Sequence, residues 1–545
     1  MPDPPPTHPR PGPWPWILGA IAGLSVLLTL ADPGITSDEP IDVKVGRNYL
    51  RQASRLVDQV GRRGIGSIDR ADLDAFFADN AQHPPLGRWL LGLASTAFEP
   101  LEGLLGGPDP LSVHPARVAP MLAFALLVGL VSAEAGRRAG RPASVVAGLA
   151  LLLMPRVFAH AHLATLDTFL ALTWTLALLS AARAIESRRP VVGLALAGAA
   201  WGLAMLTKIH GWLLPPLVLG YALATLPTRK AIAGVSLWGL VGLLVLAVGW
   251  PWLWFDPAER LSRFLSTSVD RQPIRVLYLG RVTDDVDVPW HYPWAYFALT
   301  VPVGLLGIGL VGAARGCRGW RSDRFPILLL ASIGLFLALF STRAPVYDGE
   351  RLFLLVFPSW ALLVGLGFGA AWEASGPRRW PRALLVALVA GQGVGVVRMH
   401  PFQLSYYNAI AGGLAGAERL DLELTYWGDA VDPVLLEKVD RLVPPGSEVA
   451  LAPTFHHLHP IALMTPGLFE DSVTLAPEQA LGRSPWLVVF RRSAYWSPEV
   501  RAAVRGGRPL AERSRDGVWL SRLYRVGPAE GRSPPATPED SFRTN

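Results

Sequence analysis

Apolar runs recur from one end of this chain to the other, and they constrain its fold more than any other feature. A membrane span takes about 20 mostly apolar residues, because the hydrocarbon core offers no water to backbone polar groups. Eleven stretches have the length and apolar continuity for this: 15–31, 117–135, 142–159, 164–182, 191–207, 211–227, 231–254, 294–313, 325–341, 352–372 and 383–398. Hydrophobic residues make up 51% of the chain and charged residues 17%, whereas a soluble domain is charged at about a quarter of its positions. The expectation is an all-α polytopic membrane protein with about 11 transmembrane helices. Trp14, Trp16, Trp250, Trp252 and Trp254 stand at segment ends, where interfacial anchors are expected.

Orientation follows from Lys and Arg. With the N-terminus in the cytoplasm, the cytoplasmic loops hold Arg137, Arg138, Arg141, Arg183, Arg188, Arg189, Arg229, Lys230, Arg315, Arg318, Arg321, Arg324, Arg378, Arg379 and Arg382. The short outer loops hold only Arg156, Lys208, Arg343 and Arg351. Fifteen against four is a strong positive-inside bias. It also explains the net charge of +7 without any nucleic-acid partner. Cys317 is the only cysteine, so no intrachain disulfide can form.

The Pro-rich residues 1–14 read as a disordered cytoplasmic segment. Residues 15–31 read as an uncleaved first helix rather than a signal peptide, since no A-x-A site precedes Asp32. The transmembrane domain runs over 15–398, with long outer loops at 32–116 and 255–293. Val43 to Val60 has apolar residues at helical spacing with basic residues between them, which suits a helix lying on the membrane. Pro85 to Phe98 is a second, more apolar one. Short β-like runs at 448–451, 486–490 and 518–524 give 399–527 the look of a small α/β domain, followed by a disordered tail, 528–545. An odd number of spans puts that domain outside the cytoplasm.

Adjacent carboxylates, Asp38 and Glu39, follow the first apolar run. Acids at the membrane boundary are often functional. They serve either as an N-cap of the helix that follows, with Pro40 in its first turn, or as a general base or metal ligand. Asp167 stands at the outer start of the fourth span and offers the same choice between cap and cavity-lining acid. His160 and His162 flank that turn, but positions i and i+2 do not share a helix face, which argues against a metal site. His83 either contacts substrate or orders its loop. Lys208, Arg343 and Arg351 either snorkel to headgroups or clamp a phosphate, for which Arg has the planar fork and Lys a point charge. Acids suit an incoming hydroxyl or amine, and cations suit a phosphate leaving group. Those are the demands of sugar transfer from a polyprenyl-phosphate donor.

These residues resemble a known family. Asp38-Glu39 after the first span, His83-Pro84-Pro85-Leu86-Gly87-Arg88, Ala164-Thr165-Leu166-Asp167-Thr168 and Leu206-Thr207-Lys208 look like the dolichyl-phosphate-mannose–protein mannosyltransferase-like family. This group, glycosyltransferase family 39-like, includes aminoarabinose transferases. Arg351-Leu352-Phe353 with Pro358 resembles its Arg-aromatic-Leu-Pro start of a late span. The resemblance covers roughly 15–372 and implies a GT-C fold, an inverting transfer and a polyprenyl-phosphate-linked sugar donor. It implies Asp38 as base or acceptor-positioning acid, with Glu39 in support; His83, Arg88, Lys208, Arg343 and Arg351 are expected on the substrate. Arg88 replaces the family's usual Lys, keeping charge but changing shape. Loop 255–293 is too short for the β-trefoil domain of the eukaryotic enzymes. No cofactor is required, and a divalent metal is compatible with the acids.

The expected function is therefore an integral-membrane glycosyltransferase of a bacterial-type inner or plasma membrane, with a protein, lipid or glycan acceptor. A transporter or flippase for a lipid-linked or acidic solute is the alternative, but it would need polar residues deep in the spans. A non-catalytic assembly factor displaying the tail is a third reading. Ser405-Tyr406-Tyr407-Asn408 and Tyr426-Trp427-Gly428-Asp429-Ala430 in the tail either stack on sugars or fill a core.

Overall fold

Helices dominate the computed structural model, which describes residues 12–79, 83–267, 272–464, 469 and 473–526. The expectations for residues 1–11 and for the tail 528–545 lie outside the described residues. All eleven apolar stretches carry helix. Among the described residues, five helices are long and apolar enough to cross a membrane, or six with one bent pair counted as a single span. Four further apolar helices, Trp14–Leu27, Pro190–Met205, Ile209–Thr225 and Phe325–Leu339, are shorter, at 10–17 residues. The stretches 117–135 and 142–159 are continuous in helix Val118–Leu152, which turns sharply where Ala139 and Gly140 leave helical geometry. Gly140 takes φ +74°, which a residue with a Cβ adopts rarely, and Pro142 starts the next turn.

The stretch 294–313 is not a straight span. It divides into Tyr292–Thr300 and Val303–Arg318, bent by 113°. Pro302 is the cause, since it has no N–H to bond the carbonyl of Ala298 four residues earlier. Asn408, far along the chain, supplies the missing donors. Its backbone N–H reaches the Leu299 carbonyl at 2.8 Å, and its amide nitrogen reaches those of Ala298 at 2.7 Å and Val301 at 2.6 Å.

The expected surface helix is Glu39–Arg63, and the second is Leu86–Ala97. They cross with backbones in contact at Gly46 and Gly92. A Cβ on Gly46 would lie 2.2 Å from the Arg88 carbonyl oxygen, and one on Gly92 would lie 2.3 Å from the Gly46 carbonyl carbon. This crossing sets Asp42 of one helix against Arg88 of the other, with Arg88 Nε donating to Asp42 Oδ1 at 2.9 Å.

Beyond residue 400 lies a five-stranded sheet of order β4-β3-β5-β7-β6. Its strands are β3 (Ser447–Ala452), β4 (Val473–Pro477), β5 (Trp486–Phe490), β6 (Pro509–Arg515) and β7 (Val518–Arg525); β1 and β2 form a separate hairpin, Arg275–Tyr278 with Arg281–Asp284. β3, β4 and β5 are parallel; β5, β7 and β6 are antiparallel. One face of the sheet is not separate from the rest. Val449, Leu451, Val488 and Phe490 share a core with Ile35, Val43 and Leu91 of the first outer loop.

Gly92→Val tests the crossing. Nothing at this backbone contact is a flexible side-chain end, so the helices must separate, at a cost of about 1–3 kcal/mol. Thermal unfolding of the purified protein should shift down. An unchanged midpoint would mean the two helices do not meet here.

Candidate active site

The site starts from a buried acid. Glu39 is wholly buried, and both its oxygens are fully used. Oε1 accepts from Arg117 Nε at 2.7 Å and from the Ala164 N–H at 2.7 Å. Oε2 accepts from Arg117 Nη2 at 2.9 Å, the Thr36 N–H at 2.7 Å and the Thr36 hydroxyl at 3.0 Å. Arg117 spends its remaining donors on the carbonyls of Leu30, Pro33 and Gly34. Burial pushes the Glu39 carboxyl up, but the Arg117 charge and these hydrogen bonds together hold it below the usual carboxylate range. Glu39 thus fastens the end of the first apolar helix to the turn before Asp167.

Asp38, its neighbour, points elsewhere. Its side chain makes no helix-capping hydrogen bond. Asp38 Oδ2 instead meets Arg351 Nη2 at 2.5 Å. Arg351 Nε reaches Asp167 Oδ2 at 3.3 Å, and Lys208 Nζ reaches Asp167 Oδ1 at 2.5 Å. Asp167 does not act as a cap either, since it is the first helical residue and its carboxylate is spent on these two cations. Side-chain exposure is 1% for Asp167 and 12–13% for the two cations, against 35% for Asp38. Asp38 is therefore the carboxylate of the cluster that faces outward.

The other sequence-derived candidates divide. His83 belongs here: burial, followed by the nearby charges of Arg88, Lys208 and Arg351, lowers its pKa to about 3, so it is neutral near pH 7. A backbone bond from Leu86 N–H to the Leu206 carbonyl at 3.0 Å joins the His83–Arg88 stretch to that of Lys208. Arg88 itself is bound to Asp42, whose carboxyl is pushed up by burial despite the Arg88 charge. Arg343 is not brought to the cluster. Its side chain is 90% exposed and lies 3.7 Å from Asp287. His160 and His162 are engaged separately, His160 Nε2 at 3.4 Å from the Tyr426 hydroxyl and His162 between Phe158 O and Thr29 Oγ1, each at 2.9 Å. Among the described residues no three His, Cys, Asp or Glu are grouped to hold a metal ion.

Asp348 and Arg492 escaped the sequence reading, and Trp427 stood there only as a residue to stack on sugars or fill a core. Asp348 binds Arg351 Nη1 at 3.0 Å and Arg492 Nη2 at 2.8 Å, so it bridges two guanidinium groups. The Trp427 ring lies 3.9 Å from the Arg351 guanidinium carbon. Asp348 sits three residues before Arg351, a detectable signal. Arg492 and Trp427 come from beyond residue 400, and nothing local marks them as neighbours of Arg351.

An apolar groove of about 460 Å³ opens next to the cluster, lined by Leu86, Trp89, Leu203, Leu206, Val245 and Val248 among others. Leu86 and Leu206 stand two residues from Arg88 and Lys208 in the chain.

Residues 82–255 match a sequence model of the family described as dolichyl-phosphate-mannose-protein mannosyltransferase. The match covers part of the chain and bears out the resemblance there. The matched segment carries Arg88, Asp167 and Lys208. ArnT from Cupriavidus metallidurans, solved in the apo state, superposes with a TM-score of 0.52 at 16% identity, over 94% of this chain and 97% of that one. At this identity the likeness is one of fold. A second structure of that ArnT, bound to undecaprenyl phosphate, gives 0.49 at 16% identity, over 93% and 97%. The archaeal oligosaccharyltransferase AglB from Archaeoglobus fulgidus gives 0.44 at 12%, over 88% of this chain and 69% of that one. No curated protein matches the chain significantly. The apolar helices and this fold make the chain an integral membrane protein.

Glu39→Gln tests the clamp. Removing one charge of a buried pair leaves Arg117 uncompensated, at a cost of about 3–5 kcal/mol. Because the carboxyl of Glu39 is held below its ordinary value, its contribution is present at neutral pH and is lost as pH falls through the lowered value. The variant should unfold at lower temperature at pH 7 and lose less on acidification. Equal stability of the two proteins at pH 7 would refute the clamp.

Proposed function

We propose that this chain is an integral-membrane glycosyltransferase that moves a sugar from a polyprenyl-phosphate-linked donor to an acceptor on the extracytoplasmic face. One observation carries the reading. Lys208 and Arg351 converge on the buried Asp167, the outward-facing Asp38 lies on the other side of Arg351, and an apolar groove is lined by Leu206, two residues before Lys208. An isoprenoid chain suits that groove, and a phosphate suits the two cations of the cluster. The family match supports the same chemistry.

In this mechanism the acceptor hydroxyl or amine attacks the anomeric carbon from the side opposite the lipid phosphate, so configuration inverts. Asp38 takes the acceptor's proton or orients it. Base assistance of this kind is worth roughly 10²–10⁴ in rate. Lys208 and Arg351 neutralise the departing phosphate, where fixed charges in a water-poor site act most strongly. Asp167 pairs with both cations and holds them together. His83, neutral, offers a hydrogen bond to the donor without adding charge. Glu39 acts through Asp38, by fixing its loop. Arg343 has no part. Neither a cofactor nor a metal enters this scheme. Eleven spans, with the sheet on the outer side, complete the proposed topology. The acceptor is a protein, lipid or glycan.

Asp38→Asn keeps the size of the side chain but removes the proton acceptor. With a polyprenyl-phosphate-linked sugar in lipid, its turnover should fall on the order of a hundredfold or more, with donor binding retained. Near-normal turnover would take Asp38 out of the chemistry.

Lys208→Ala and Arg351→Ala each delete a charge-assisted hydrogen bond to phosphate, roughly 1.5–3 kcal/mol when well made. Both should weaken donor use more than acceptor use. If titration of the donor gives the same curve for both variants as for the parent, these cations do not bind the phosphate.

A further inference from the structure

We propose that Trp427 is the positioning residue that fixes Arg351 opposite Asp38, so that the region beyond residue 400 completes the phosphate site. The inference rests on the glycosyltransferase reading given above. The Tyr426-Trp427-Gly428-Asp429 stretch lies along both partners of the Asp38–Arg351 pair. On one side, the Trp427 carbonyl accepts from the Ser37 N–H at 3.0 Å, one residue before Asp38. The Asp429 carbonyl accepts from the Gly34 N–H at 2.9 Å, and His459 Nε2 is 2.8 Å from the Ile35 carbonyl oxygen. On the other side, the Trp427 ring covers the guanidinium of Arg351 at 3.9 Å and is itself 1% exposed.

The two kinds of contact on Arg351 differ in what they permit. Asp38, Asp167 and Asp348 occupy its N–H edges. A phosphate needs those same edges, so each carboxylate contact competes with substrate. The face contact does not compete. A guanidinium stacked on an indole keeps all five N–H donors available in its plane. Trp427, much nearer than the Tyr347 ring at 5.9 Å, is therefore the main contact that persists when a phosphate replaces a carboxylate. Because the same residue holds Ser37, it also sets the spacing between the proton acceptor and the cation. A buried indole suits this role better than another acid would, since a further carboxylate would compete for the bound anion.

The test uses the full-length purified protein and undecaprenyl phosphate as probe, with thermal unfolding measured on the same samples. Trp427→Leu should weaken probe binding about tenfold, in the range of a desolvated cation–π contact. Trp427→Phe, which retains a ring, should fall between Leu and the parent. In an Arg351→Ala background, Trp427→Leu should cause no further loss. A lowered melting temperature with parent-like probe affinity in both Trp427 variants would make Trp427 a packing residue and overturn the proposal. So would equal, additive losses in the Arg351→Ala background. If Leu does not fold, the Phe variant decides alone: unchanged affinity overturns the proposal and a partial loss supports it. Failure of the glycosyltransferase reading looks different, because then Arg351→Ala itself leaves probe binding unchanged.

Discussion

The buried pair of Glu39 and Arg117 is the interaction on which the rest of the site depends. Moving two charges out of water is expensive, and attraction alone seldom offsets the desolvation. Here the oxygens of Glu39 and the donors of Arg117 find further partners in the backbone. The carbonyls of Leu30, Pro33 and Gly34 and the N–H groups of Thr36 and Ala164 are gathered on one pair. Three stretches separate in sequence, the end of the first apolar helix, the start of the helix at 118 and the turn before Asp167, are held in one place. The acid that faces outward, Asp38, is aimed by the acid that does not.

The neighbouring cluster follows different rules. Arg351, Lys208 and Arg492 are matched against Asp38, Asp167 and Asp348 in a chain of shared contacts. Lys208 and Arg492 each share a carboxylate with Arg351, and Asp38 pairs with Arg351. Sharing keeps each group compensated while leaving any single contact replaceable, which suits a place where an anion must come and go.

Much of this was legible in the sequence. Asp38, Asp167, Lys208 and Arg351 stand out because charge at an outer span boundary is costly and therefore conspicuous. The amphipathic Glu39–Arg63 helix shows itself in Val45, Tyr49, Leu56 and Val60 at helical spacing, of which Val45 and Tyr49 are buried. Other features were beyond reach. Arg343 is as conspicuous as Arg351, and only tertiary structure shows that it faces solvent. Arg492 and Trp427 reach the cluster from a region whose strands look like an independent unit, because hydrophobic periodicity reports burial but not the burying partner. β4 and β6 were missed since Val473–Pro477 is short and ends in proline and Pro509–Arg515 is mostly polar. The bend within 294–318 was written in Pro302, but apolar continuity outweighed it.

That bend has a bearing on how the chain is made. The carbonyls of Ala298 and Val301 take their donors from an amide 110 and 107 residues further on. Synthesis runs from the N-terminus, so the broken helix enters the membrane before Asn408 exists. Until then its exposed carbonyls need water or a temporary partner, since lipid offers neither donor nor dielectric. The helix pair at 292–318 is thus completed only when the chain returns from its last apolar helix.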